Sequence, residues 1–102
     1  MLGEHPPLVF DRIHALGATE LETPADAQVF AVEVERRCDG EEPERATVRA
    51  RISRTAAAQI ESDLAEYICE YVAWLGNSLP NDGKKLAALK EREPLTVFAP
   101  AS

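Results

Sequence analysis

Two stretches of period-2 alternation constrain this chain more tightly than any other feature of it. Phe30, Val32 and Val34 alternate with Ala31, Glu33 and Glu35, and further on Ala46, Val48, Ala50 and Ile52 alternate with Thr47, Arg49, Arg51 and Ser53. Successive side chains of a strand point to opposite faces, so each stretch reads as a half-buried strand. Between them Cys38-Asp39-Gly40-Glu41-Glu42-Pro43 is rich in turn formers, and the whole reads as a β-hairpin whose first strand covers 28–37. The outward faces match acid with base. Glu33 and Glu35 lie opposite or diagonal to Arg49 and Arg51, which favours antiparallel pairing and a solvated charge ladder worth about a few tenths of a kcal/mol per pair.

The remaining elements follow from weaker signals. Residues 8–13, Leu-Val-Phe-Asp-Arg-Ile, are β-branched and aromatic enough for a short strand, and 14–27, with Gly17, Pro24 and no firm period, reads as a connection that is partly extended. Thr55 stands where an N-cap is needed, and Ile60, Leu64, Tyr67, Ile68, Tyr71, Val72, Leu75 and Leu79 recur at spacings of three and four. These predict one long amphipathic helix over 55–79, stopped by Pro80-Asn81-Asp82-Gly83. A shorter helix over 84–93 follows before Pro94, and Leu95-Thr96-Val97-Phe98 reads as a last strand on a sheet edge. The expected fold class is α+β: a small antiparallel sheet, made of the hairpin plus one or two further strands, covered on one face by the long helix and the short C-terminal helix. At 102 residues the chain has room for one hydrophobic core, so 1–102 is read as a single domain.

Composition narrows the function classes. Hydrophobic residues make up 45% of the chain and charged ones 28%, enough apolar surface to fold. A formal charge of −7 repels phosphate backbones and anionic lipid, so direct binding to nucleic acid or to a membrane is not expected. Residues 1–7 carry no Lys or Arg and no apolar run approaches the roughly 18 residues of a membrane span, so neither a signal peptide nor a span is read. With only Cys38 and Cys69, a disulfide framework is not expected and the cytoplasm is the expected compartment. The excess of arginine over lysine and the many alanines suggest a GC-rich bacterial or phage source.

Catalytic chemistry finds little support. His5 and His14 have no second ligand at metal spacing, and nucleotide-binding glycine loops, nucleophile elbows and zinc-binding His-Glu-x-x-His are all missing from the chain. No catalytic residue, metal or cofactor is therefore expected. Cys38, beside Asp39 and near Arg36 and Arg37, is the best candidate nucleophile, since neighbouring cations lower a thiol pKa. Cys69 reads as a small hydrophobe.

The long helix carries the more informative pattern. Between 55 and 79 it contains Glu61, Asp63, Glu66 and Glu70 and no Lys or Arg, and like charges three and four apart repel. Either this is solvated surface, paired within the fold with Arg12, Arg54, Lys84, Lys85 or Lys90, or it meets a basic partner protein. The functional expectation is a non-catalytic acidic protein-binding module, a small regulator or inhibitor. Asp63, Glu66 and Glu70 would face the partner, with Tyr67, Tyr71 and Trp74 as anchors. The competing expectation is a homo-oligomeric structural or assembly protein, a homodimer or a component of a larger complex, whose acidity only confers solubility; Val72, Trp74 and Gly76 would then matter more than the carboxylates, beside the small-residue stripe Ala58, Ala65, Cys69 and Gly76.

Overall fold

A computed structural model describes residues 10–21 and 25–98. The hairpin forms as its alternation predicts: strand β2 (Ala27–Cys38) pairs antiparallel with β3 (Glu44–Ser53), placing Val34 beside Ala46, Val32 beside Val48 and Phe30 beside Ala50. Gly40 turns the chain at φ +79°, a region that favours glycine, and the Glu41 N–H donates to the Cys38 carbonyl. Val32, Val34, Val48, Ala50 and Ile52 are completely buried, so one face of the hairpin is core along its whole length.

Strand β1 (Asp11–Glu20) is longer than the sequence pattern suggests and takes up most of the stretch read as a connection; residues 8 and 9 of the expected strand lie outside the described residues. A bulge explains the lost period. β1 pairs antiparallel with β2, but the register shifts between Ala15 and Gly17, so Leu16 is an extra residue and the core-facing set runs Ile13, Ala15, Ala18, in steps of two and then three. At the other side β4 (Leu95–Val97) pairs with β3 in parallel, giving a mixed sheet in the order β1-β2-β3-β4. A parallel return needs a crossover, and the helices between β3 and β4 provide it on one face. The α+β class and its one-sided helical cover are as expected; the all-antiparallel sheet is not.

The expected continuous helix over 55–79 is divided into α1 (Arg54–Ala58) and α2 (Leu64–Asn77). Ser53, not Thr55, caps α1, accepting from the Ala56 N–H at 3.1 Å, and Asp63 caps α2, accepting from the Ala65 N–H at 3.0 Å. The period survived the break because Ala56, Ala57 and Ile60 on one side of it and Leu64 and Ile68 on the other all pack on the same core. The short helix α3 (Lys85–Lys90) follows, with Gly83 at φ +83° in the connection. No helix among the described residues is long and apolar enough to cross a membrane.

α2 is seated by close backbone approach. Gly76 faces Ile13 of β1 so tightly that a Cβ there would stand 2.8 Å from Ile13 Cγ1 and 2.9 Å from Ile13 Cβ. One residue on, the Asn77 amide imitates a neighbouring strand: the Ile13 N–H donates to Asn77 Oδ1 at 2.8 Å, and Asn77 Nδ2 donates to the Ile13 carbonyl at 3.0 Å. These two bonds occupy part of the open edge of β1. The last carbonyls of α2, which has no basic residue in its own final turn, are met by the buried Lys85, whose ammonium donates to Gly76 and Asn77 at 3.4 and 3.3 Å and, just beyond the helix, to Leu79 at 2.9 Å. A cation at a helix C-terminus also opposes the macrodipole. Gly76→Ala is expected to lower stability by about 1–2 kcal/mol in urea unfolding, because overpacking against Ile13 outweighs the better helix propensity of alanine.

Candidate protein-binding surface

Seated in this way, α2 presents two ridges four residues in period and on opposite sides. Ile68, Val72 and Gly76 are buried against the sheet, and Glu66, Glu70 and Trp74 form the exposed line. Trp74 is 62% exposed, and its ring lies 5.9 Å from that of Tyr71 at an interplanar angle of 56°. An indole in water at the end of a row of carboxylates is the most conspicuous feature of this face.

The six residues expected at a partner surface divide accordingly. Glu66, Glu70 and Trp74 share the exposed ridge, and among the described residues neither glutamate takes part in an ion pair. Tyr67 and Tyr71 are half-buried and serve the fold: their hydroxyls donate to the carbonyls of Phe98 at 3.1 Å and Thr96 at 3.2 Å, holding α2 to β4. Burial pushes the Tyr71 phenol up from its ordinary value, with the neighbouring Tyr67 adding to the effect. Asp63 is spent as the helix cap. Of the cations proposed to neutralise the ridge, Lys85 caps α2 and Arg54 donates to the Ala25 carbonyl.

The small-residue stripe invoked for self-association does not survive as a surface. Ala58 belongs to α1, Gly76 and Val72 are buried in the fold, and Ala65 and Cys69 pack on the core. Within the fold α2 packs chiefly on β1 and also meets β2, α3 and β4.

The ionic network is displaced from the one the alternation suggested. The register sets Glu33 opposite Thr47 and Glu35 opposite Arg45, so the ladder moves by one rung. Glu35 accepts from Arg37 Nε at 2.6 Å and from Arg45 Nε at 3.4 Å, and Arg49 Nε approaches Glu93 at 3.7 Å. The bond from Arg37, with the charges of Arg37 and Arg45, holds the Glu35 carboxyl below its ordinary range against the opposing effect of burial. On the core side a second cluster is buried. Arg36, 3% exposed, donates from Nε to Asp11 at 2.9 Å and from Nη1 to Glu44 at 2.7 Å, and the Gly83 N–H donates to Asp11 Oδ2 at 2.9 Å. Arg36 Nη2 is buried without a partner. The sequence did hold one sign of this cluster: Arg36 continues the inward parity of Phe30, Val32 and Val34.

Cys38 has surroundings that do not favour its thiolate. It is 5% exposed, and burial pushes its thiol up, with the Glu41 carboxylate adding to the rise; the opposing charge of Arg36 does not overcome them. Cys69 is also pushed up by burial and then by Asp63, Glu66 and Glu70. Among the described residues no group of three or more His, Cys, Asp or Glu side chains is placed to hold a metal ion. Searches against protein-family models, curated proteins and solved structures returned no match. In the folded chain at neutral pH, Cys38 should label with a thiol reagent more slowly than a cysteine in an unstructured peptide, as mass spectrometry of timed aliquots would read; faster labelling would restore it as a candidate nucleophile.

Proposed function

We propose that the chain is a non-catalytic protein-binding module, a small regulator or inhibitor that uses α2 to engage a basic surface on a partner protein. The single observation that carries this reading is the exposed Trp74 at the end of the unpaired Glu66–Glu70 line. Carboxylates in water steer encounter and set register, yet contribute little affinity while they remain solvated. A large aromatic group buried on association supplies the anchoring energy that they lack. In this arrangement Tyr71 acts as a support, since its ring lies against Trp74 while its hydroxyl is tied to β4. The expected setting is the cytoplasm, in keeping with two unpaired thiols. Neither nucleic acid nor lipid is the expected direct partner, given a net charge of −7.

The test is capture from the native host by the tagged chain at low and high salt, followed by titration of the recovered partner. Binding should weaken as salt screens the contact. Trp74→Ala should cost at least about 2 kcal/mol, or roughly thirtyfold in Kd, and Glu66→Lys with Glu70→Lys should abolish capture while leaving the melting curve of the chain in place. A double variant that is still folded and binds as tightly as the wild type would remove α2 from the interface.

A further inference from the structure

The register that buries one face of the sheet also sorts charge on the other. Cross-strand neighbours project from the same side. Arg12 beside Arg37, Arg45 beside Glu35, Arg49 beside Ala31 and Arg51 beside Val29 therefore all stand on the face turned away from α2. Five of the eight arginines of an acidic chain are gathered there, with the carboxylates of Glu33, Glu35, Glu93 and Asp26 beside them, and Glu35 is already held by Arg37 and Arg45. Arg51 takes part in no ion pair among the described residues, and the Arg49 guanidinium approaches Glu93 at 3.7 Å, a carboxylate that also accepts from the Arg49 backbone N–H at 2.7 Å.

The spacing on this face matches the ridge of α2. Thr47, Arg49 and Arg51 are exposed and two residues apart on β3, steps of about 6.7 Å. Glu66, Glu70 and Trp74 are four apart on α2, steps of about 6 Å. A helix laid antiparallel to β3 thus brings Glu66 over Arg51, Glu70 over Arg49 and Trp74 over Thr47. At that last position a groove of about 430 Å³ is lined by Gly17, Ala18, Thr19, Ala31, Glu33 and Thr47, mostly small side chains, and a Cβ built on Gly17 would meet nothing within 4 Å. It is a shelf with room for a flat ring. A second groove, of about 440 Å³, is lined by the two arginines with Val29, Pro94 and Asp26.

We propose that this sheet face is the docking surface for α2 of a second copy of the chain, so that copies join head to tail. The inference rests on the reading of α2 as a binding surface, and it names the basic partner that such a surface requires. Ridge and sheet face lie on opposite sides of one molecule, so each contact leaves an unused ridge at one end and an unused face at the other. Such a heterologous contact builds rings or open chains in place of a two-fold dimer.

Sedimentation equilibrium of the full chain, at about 0.1 M salt and again at several times that, tests the proposal. The wild type should show a mass that rises with concentration past the dimer and falls toward the monomer at high salt. Glu66→Lys/Glu70→Lys and Arg49→Glu/Arg51→Glu should each be monomeric with cooperative melting intact. A mixture of the two variants should regain association, because the reversed ridge of one then faces the reversed sheet of the other. A wild type that stays monomeric up to millimolar concentration overturns the head-to-tail contact, while the broader reading of α2 is decided separately by capture of a basic partner. A monomeric wild type that binds an oligo-glutamate peptide, with binding lost in Arg49→Glu/Arg51→Glu, also overturns it and assigns the sheet face to an acidic segment of another protein. A self-limiting dimer insensitive to both charge reversals overturns it as well.

Discussion

The contact between Gly76 and Ile13 sets the rotation of α2, and most of the surface chemistry depends on that rotation. With the helix backbone pressed on β1 and the Asn77 amide hydrogen-bonded to both backbone groups of Ile13, the line 68-72-76 must face inward. The line 66-70-74 must then face water, since residues four apart share a side and a shift of two residues is about half a turn. A side chain at position 76 would lift this end of the helix and loosen the Asn77 bonds. The exposure of Trp74 is thus a consequence of packing on Ile13, 61 residues earlier in the sequence.

Buried charge closes the same end of the sheet, where Arg36 is the strand partner of Ile13. Arg36 on β2, Asp11 at the start of β1, Glu44 at the start of β3 and the Gly83 amide before α3 meet in one cluster, while Lys85 ties α3 to the carbonyls at the end of α2. Desolvating such groups costs several kcal/mol, so the cluster adds less net stability than its short distances imply. Its value lies in specificity. Removing either partner of the Arg36–Asp11 pair strands a buried charge, a loss of about 3–5 kcal/mol, which disfavours arrangements in which these four segments are apart. The unpaired Nη2 of Arg36 shows that even here satisfaction is incomplete.

Charge segregation joins the two functional readings. The acidic line on α2 and the arginine face of the sheet are separate surfaces of one small molecule, and neither is neutralised by the other within the chain. The overall charge of −7 conceals this, because a sum carries no information about sidedness. The two cysteines are both shifted toward the neutral thiol by burial.

By itself the sequence determined the hairpin, the existence of an apolar helical arc, the short helix after Gly83 and the closing strand, because period, capping and turn chemistry act over a few residues. It also marked Asp63, Glu66 and Glu70 with Tyr67, Tyr71 and Trp74 as one candidate surface, without separating the exposed three from the rest. Tertiary structure alone decided the break after α1, where two segments of one period pack on one core from different directions, and the length of β1, where a bulge changes the phase of the pattern. It decided that β4 runs parallel to β3, since alternation records burial and not direction. It also gave Tyr67, Tyr71 and Asp63 backbone partners, those of the two tyrosines 31 and 25 residues distant. Hydrophobic periodicity reports that a side chain is buried, whereas the choice of which group it meets depends on long-range geometry that no local pattern encodes.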